Sequence, residues 1–103
     1  MEPSRRQVTW TPLARTLLDE ALEYVAERSL EGALDLLDEV ERVAGSLATM
    51  SERGRLLRRF APSDVREVFV RSYRLVYRVS REAVEIIAFV HTRRDYEGPA
   101  HDR

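Results

Sequence analysis

Apolar positions change their period twice along this chain. From Gln7 to Trp10 polar and apolar residues alternate, the two-residue period of a short strand. Leu13, Leu17, Ala21, Leu22 and Val25 then recur three and four apart, predicting an amphipathic helix from Pro12 to about Arg28. Thr11 can accept an orphan N–H at its start, and proline tolerates the first helical position. Ser29 caps a second helix, residues 30–49. Its expected buried stripe is Leu30, Ala33, Leu34, Leu37, Val40, Ala44 and Leu47, with Glu31, Asp35, Asp38 and Glu39 toward water. One or two linking residues force the two helices into a hairpin.

Met50 to Asp64 interrupts the pattern, with Gly54 inside it and Pro62 near its end. Three β-branched and aromatic runs follow, predicting strands near 65–70, 73–80 and 83–91. Their short connections, Arg71-Ser72 and Ser80 to Glu82, make them antiparallel neighbours. The fold class is therefore α+β: a short N-terminal strand, an antiparallel two-helix hairpin, then three antiparallel strands of one sheet. A chain of 103 residues has room for one two-layer core. Residues 1–6 read as a disordered leader, 7–96 as a single domain and 97–103 as a flexible tail.

Parity within the strands divides the side chains between two faces. Tyr73, Leu75, Tyr77 and Val79 share one face, and Arg74, Val76 and Arg78 the other. The last strand is apolar on both parities: Val84, Ile86, Ala88 and Val90 on one, Ile87 and Phe89 on the other. One helical hairpin covers only one face of a sheet, so the second calls for another cover, and a partner chain is the economical one.

Charge sharpens the picture. Residues 1–52 hold 5 arginines against 11 acidic residues, and residues 53–103 hold 12 arginines against 7. An acidic half thus joins a basic one, and a surface for anions would belong to the second. All 17 basic residues are arginine, which closes any role that needs a titrating amine. The absence of cysteine excludes disulfides and thiol catalysis, and two histidines give little basis for a metal site. Neither a cofactor nor a metal is expected. No apolar run approaches the roughly 20 residues that span a bilayer, and no signal peptide is evident, so a cytoplasmic protein is expected.

The arginines fall into two groups: Arg53, Arg55, Arg58 and Arg59 before the sheet, and Arg66, Arg74, Arg78, Arg93 and Arg94 in or after it. Arg74 and Arg78 would line one face, joined by Arg66 if the registers align. They form either a phosphate- or carboxylate-binding surface or solvated charges pairing with Glu67, Glu85 and Asp95 across strands. His91, Arg93, Arg94 and Tyr96 sit together where the last strand ends. A base, an acid and cations in six residues suit RNA cleavage; alternatively His91 and Tyr96 close the sheet edge. Tyr73 and Tyr77 read as core, and Trp10 as a packing anchor.

Trp10-Thr11-Pro12, Gly54-Arg55, the run Tyr73 to Val79 and His91-Thr92-Arg93-Arg94-Asp95 together resemble the RelE/ParE superfamily of type II toxins. The resemblance spans residues 7 to 96 and is closer to the ParE branch, whose members end in a similar His-x-Arg-Arg. It implies a first strand that joins the sheet and a toxin neutralised by a cognate antitoxin. The target it implies is DNA gyrase, with no catalytic residues of the toxin's own. Target-binding candidates are then Arg55, Arg58, Arg59, His91, Arg93 and Arg94, and antitoxin-binding candidates Arg66, Arg74 and Arg78. Operator DNA would be reached only through the antitoxin. RelE-type relatives instead cut mRNA on the ribosome with basic residues, often lysines; here His91, Arg94 and Tyr96 would stand in, with Glu67 the nearest strand carboxylate. A non-toxic or regulatory member acting with its antitoxin is the remaining alternative.

Overall fold

The computed structural model describes residues 5–94. Strand β1 (Gln7–Trp10) leads into helices α1 (Pro12–Ala26) and α2 (Leu30–Ser46). Next come a two-residue strand β2 (Arg55–Leu56), a 3₁₀ turn (Arg58–Phe60), and strands β3 (Asp64–Val70), β4 (Tyr73–Val79) and β5 (Ala83–His91). All strands join one sheet in the order β1-β5-β4-β3-β2. The long strands are antiparallel neighbours, while β1 lies parallel to β5, with Gln7 opposite Ala83 and Trp10 opposite Ile86. This is the expected α+β fold, with one strand more than the hydrophobic pattern announced. β2 is two residues long and exposed on both, so it leaves no period to read.

Local chemistry sets the element ends. Thr11 Oγ1 accepts from the Ala14 N–H at 3.1 Å, and Ser29 Oγ from the Gly32 N–H at 2.9 Å, so both helices start on a hydroxyl cap. The helices end at Ala26 and Ser46, two and three residues short of the expected ends. Arg71 turns β3 into β4 with φ of 55°, a left-handed conformation that only a few non-glycine residues adopt.

The helices cover one face of the sheet, with a core of Ala14, Leu18, Leu36, Val40, Val43 and Leu47 against Val70, Leu75, Tyr77, Val84, Ile86 and Phe89. The expected α2 stripe is thus rotated. Leu36 and Val43 are inside, whereas Leu30 and Leu34 are 68% and 55% exposed. In α1 the small residues Ala14 and Ala21 face the sheet, while Leu13 points outward. Leucines ring both helices, so periodicity alone offered two adjacent stripes, and the small side chains that let the helix approach the sheet decided between them.

The parity expected for β5 also fails half-way. Val76 pairs with Ala88 but Tyr77 with Ile86, leaving Ile87 as an extra residue in a β-bulge. Val84, Ile86 and Phe89 therefore face the helices, and Ile87, Ala88 and Val90 face the other way. On that second face Leu57 and Phe60, from the segment around the 3₁₀ turn, pack against Val65, Val76, Ile87 and Ala88. The chain itself supplies part of the cover there.

Tyr77 anchors this segment. Its buried hydroxyl donates to the Ser51 carbonyl at 2.8 Å and accepts from the Gly54 N–H at 2.9 Å. A Cβ on residue 54 would lie 2.5 Å from that hydroxyl and 2.8 Å from the Glu67 carbonyl, so only glycine fits. Burial pushes the Tyr77 hydroxyl above its ordinary value of 10.0, opposed by the Gly54 hydrogen bond.

Candidate interaction surface

Directly opposed residues of neighbouring strands share a face, and the register sorts the arginines on that rule. Arg74 lies opposite Phe69 and Val90, and Arg78 opposite Val65 and Glu85, so both belong to the second face as expected. Arg66 does not join them. It is opposite Tyr77 and Leu56, on the other parity. Its Nε donates to Asp64 at 2.8 Å, and its Nη1 to the carbonyls of Glu52 and Gly54 at 3.2 and 3.1 Å. Arg66 therefore clamps the segment before β3, because the register did not align as the shared-face expectation required.

Glu67 is the centre of the second face. It sits on the parity of Val65 and Phe69, is 2% exposed, and receives two guanidinium groups. Arg55, directly opposite on β2, pairs with its Oε2, and Arg74 Nη1 lies 3.3 Å from its Oε1. Burying a carboxylate demands such partners. Arg74 is itself left incomplete: its Nε and Nη2 are buried without a hydrogen-bond acceptor. Beside it Phe69 stands 59% exposed. Arg78 is paired with Glu85 at 2.5 Å across β4 and β5, near the surface. The cross-strand pairing reading thus describes Arg78 and, through Nη1, Arg74, whose other two nitrogens retain unused donors.

The remaining candidates separate into two places. Arg55, Arg58 and Arg59 lie at the β2 edge, where Arg59 stacks over Phe60 at 4.8 Å. His91, Arg93 and Arg94 lie at the end of β5, which pairs with the start of β4 through Tyr73. These two sites are on non-adjacent strands and at opposite strand ends, so no single patch unites the six target-binding candidates. His91 meets Tyr73 edge to face at 5.4 Å, and Tyr73 stacks on Phe89 at 4.9 Å. His91 Nδ1 accepts from the Arg93 N–H at 3.2 Å. A groove of about 320 Å³ opens there, lined by Glu20, Tyr24, Tyr73, His91 and Arg94. Asp95 and Tyr96 lie outside the described residues, so of the possible ribonuclease set only His91 and Arg94 are placed. Among the described residues no cluster of histidine and carboxylates could hold a metal, and no helix is long and apolar enough to cross a membrane.

Sequence reading undervalued two residues. Glu67 was a pairing partner rather than the buried hub, although a lone carboxylate on an apolar strand parity was the available signal. Phe69 shared that parity, and nothing in the sequence marked it as exposed.

A chain from the solved structure of the chromosomal ParDE TA system from P. aeruginosa superposes with a TM-score of 0.69. It shares 20% identity, and the match covers 85% of this chain and 97% of that one. At that identity the likeness speaks for the fold. No curated protein matches the sequence. Residues 8–96 match the family model of the ParE toxin of type II toxin-antitoxin systems, parDE, and the chain belongs to that family.

Proposed function

We propose that the protein is a growth-arresting toxin that inhibits DNA gyrase in the cytoplasm and is neutralised by a cognate antitoxin laid over the second sheet face. The observation that carries the antitoxin reading is the pairing of an exposed Phe69 with the unsatisfied Nε and Nη2 of Arg74. Buried guanidinium donors left without acceptors are costly, and a partner carboxylate arriving beside an apolar anchor would complete them. Arg78 flanks the same surface and would meet a second acidic residue by exchanging from Glu85. Operator DNA would be contacted through the antitoxin.

Gyrase binding is assigned to exposed arginines outside the Glu67 cluster: Arg58 and Arg59 beside β2, and Arg93 and Arg94 beside His91 at the end of β5. Inhibition by binding, rather than by cleavage of mRNA, accords with the absence of lysine and with the pairing of Arg55, Arg74 and Arg78 to carboxylates. Guanidinium groups already neutralised are poorly placed to stabilise a phosphorane.

Supercoiling and cleavage-complex assays with the purified protein, with and without antitoxin, test the reading. Cleaved DNA trapped by gyrase, and prevented by antitoxin, is the expected result. Untouched supercoiling by protein that still arrests growth would sink it and move the assignment to ribosome-dependent mRNA cleavage, with His91→Ala as the next variant.

A further inference from the structure

Away from the arginine face, β1 forms an edge of the sheet with its outer side unpaired. The Gln7 N–H bonds the Glu82 carbonyl at 3.0 Å and the Thr11 N–H the Ile86 carbonyl at 2.9 Å. The alternation of a parallel ladder therefore turns the backbone groups of Val8 and Trp10 outward. Natural edge strands are commonly blunted by lysine, proline or an inward charge. The stretch Gln7-Val8-Thr9-Trp10 has none of these within it.

Beside this edge is a notch of about 270 Å³, walled by Trp10, Arg15, Leu37, Glu41 and Gly45. Gly45 lies inside α2 with ordinary helical geometry, and a Cβ built on it would meet nothing within 4 Å. Glycine weakens a helix relative to alanine or glutamine, and no contact within the chain requires it at this position. On the 3.6-residue period Gly45 continues an outward row of Leu30, Leu34, Leu37 and Glu41, of which Leu30 and Leu34 are largely exposed. An open strand edge, a notch walled by both apolar and charged side chains, and an unexplained glycine thus share one margin of the molecule.

We infer that this margin is where a second copy of the chain docks. Two β1 strands pair antiparallel about a twofold axis at Thr9, so that Val8 of each copy faces Trp10 of the other. The outward backbone groups of both residues are then all satisfied, and an edge of this length offers no others. Trp10 of each copy points to the helix side, as Val8 does, and seats against the other copy's notch where Gly45 leaves room. Charge agrees with the symmetry. Arg15 lies over the Trp10 ring at 5.3 Å, so it travels with that ring toward the other copy's Glu41. A surface carrying both signs is self-complementary under a twofold. The second sheet face stays open in this dimer, so this inference and the antitoxin reading fail independently.

Sedimentation velocity on the full chain, purified free of antitoxin across the micromolar range, tests the dimer. Wild type is expected to dimerise with concentration, and amide exchange at Val8 and Trp10 to slow as it does so. Gly45→Gln fills the notch while improving the helix, so it should raise the melting temperature and weaken dimerisation by about tenfold or more. Better folding with worse association cannot come from a damaged core. Should that variant fail to fold, Glu41→Arg is expected to weaken the dimer and Arg15→Glu in the same chain to restore it. Wild type that remains monomeric throughout, or Gly45→Gln that dimerises as wild type does, overturns the inference. So does monomeric wild type whose Gly45→Gln variant loses antitoxin binding, which would give the notch to the antitoxin instead.

Discussion

The two faces of the sheet are finished to different degrees. On the helix side Leu75, Tyr77, Val84, Ile86 and Val70 are fully buried, and the one polar group among them, the Tyr77 hydroxyl, has both a donor and an acceptor. On the second side a carboxylate is buried under two arginines, one guanidinium keeps unpaired nitrogens, and Phe69 stands in solvent. The first face is what folding alone requires. The second keeps unfilled donors and an exposed aromatic, which the proposed antitoxin would cover.

The comparison breaks most sharply at the buried charge. Glu67→Ala should cost about 3–5 kcal/mol of stability, since it strands Arg74 under the sheet. Converting the pair together, Glu67→Leu with Arg74→Met, should recover most of that in denaturant titrations, because similar-sized apolar residues replace a buried ion pair without loss. On the helix side Leu75→Ala should cost about 2–5 kcal/mol with no such rescue, as it leaves a cavity.

Tyr77→Phe is expected to cost about 1–3 kcal/mol, the penalty for unpairing the Gly54 N–H and Ser51 carbonyl. It also carries a pH signature. The folded Tyr77 hydroxyl titrates above the unfolded value near 10.0, so its contribution is complete below that value and is lost as pH climbs through the folded one. Wild type should therefore lose stability in alkali more steeply than Tyr77→Phe, as read by thermal melts across that range; equal slopes would remove Tyr77 from the account.

Smaller effects sharpen the contrast. Arg78→Ala should change stability by less than about 1 kcal/mol, because its bond to Glu85 is a surface ion pair. Phe69→Ser should leave the melting point of the free chain within about 0.5 kcal/mol of wild type, yet loosen the antitoxin in calorimetric titration. A large stability loss at Phe69 with unchanged antitoxin affinity would mean that the second face is core after all.

Much of this fold was legible in the sequence because period-two and period-3.6 patterns follow from backbone geometry. Thr11 and Ser29 cap as their chemistry suggests, and β4 shows the expected division of Tyr73, Leu75 and Tyr77 from Arg74, Val76 and Arg78. The errors lie where tertiary contacts choose between equal local options. Leu30 and Leu34 are as apolar as Leu36, and only the approach of α2 to the sheet decided which was buried. Ala88 and Val90 changed faces with Phe89 because the bulge at Ile87 resets parity, and a bulge has no composition of its own.

The sequence by itself determined the order of elements, the arginine-rich second half, and the family to which the chain belongs. Those depend on residue identity and near-neighbour spacing. Only the tertiary structure decided that Arg66 clamps a loop while Arg74 lies on the second face against Glu67, that Glu67 is the buried hub, and that Arg58 and His91 lie apart. Each depends on strand register, and register is set by the packing of the whole sheet rather than by any segment of it.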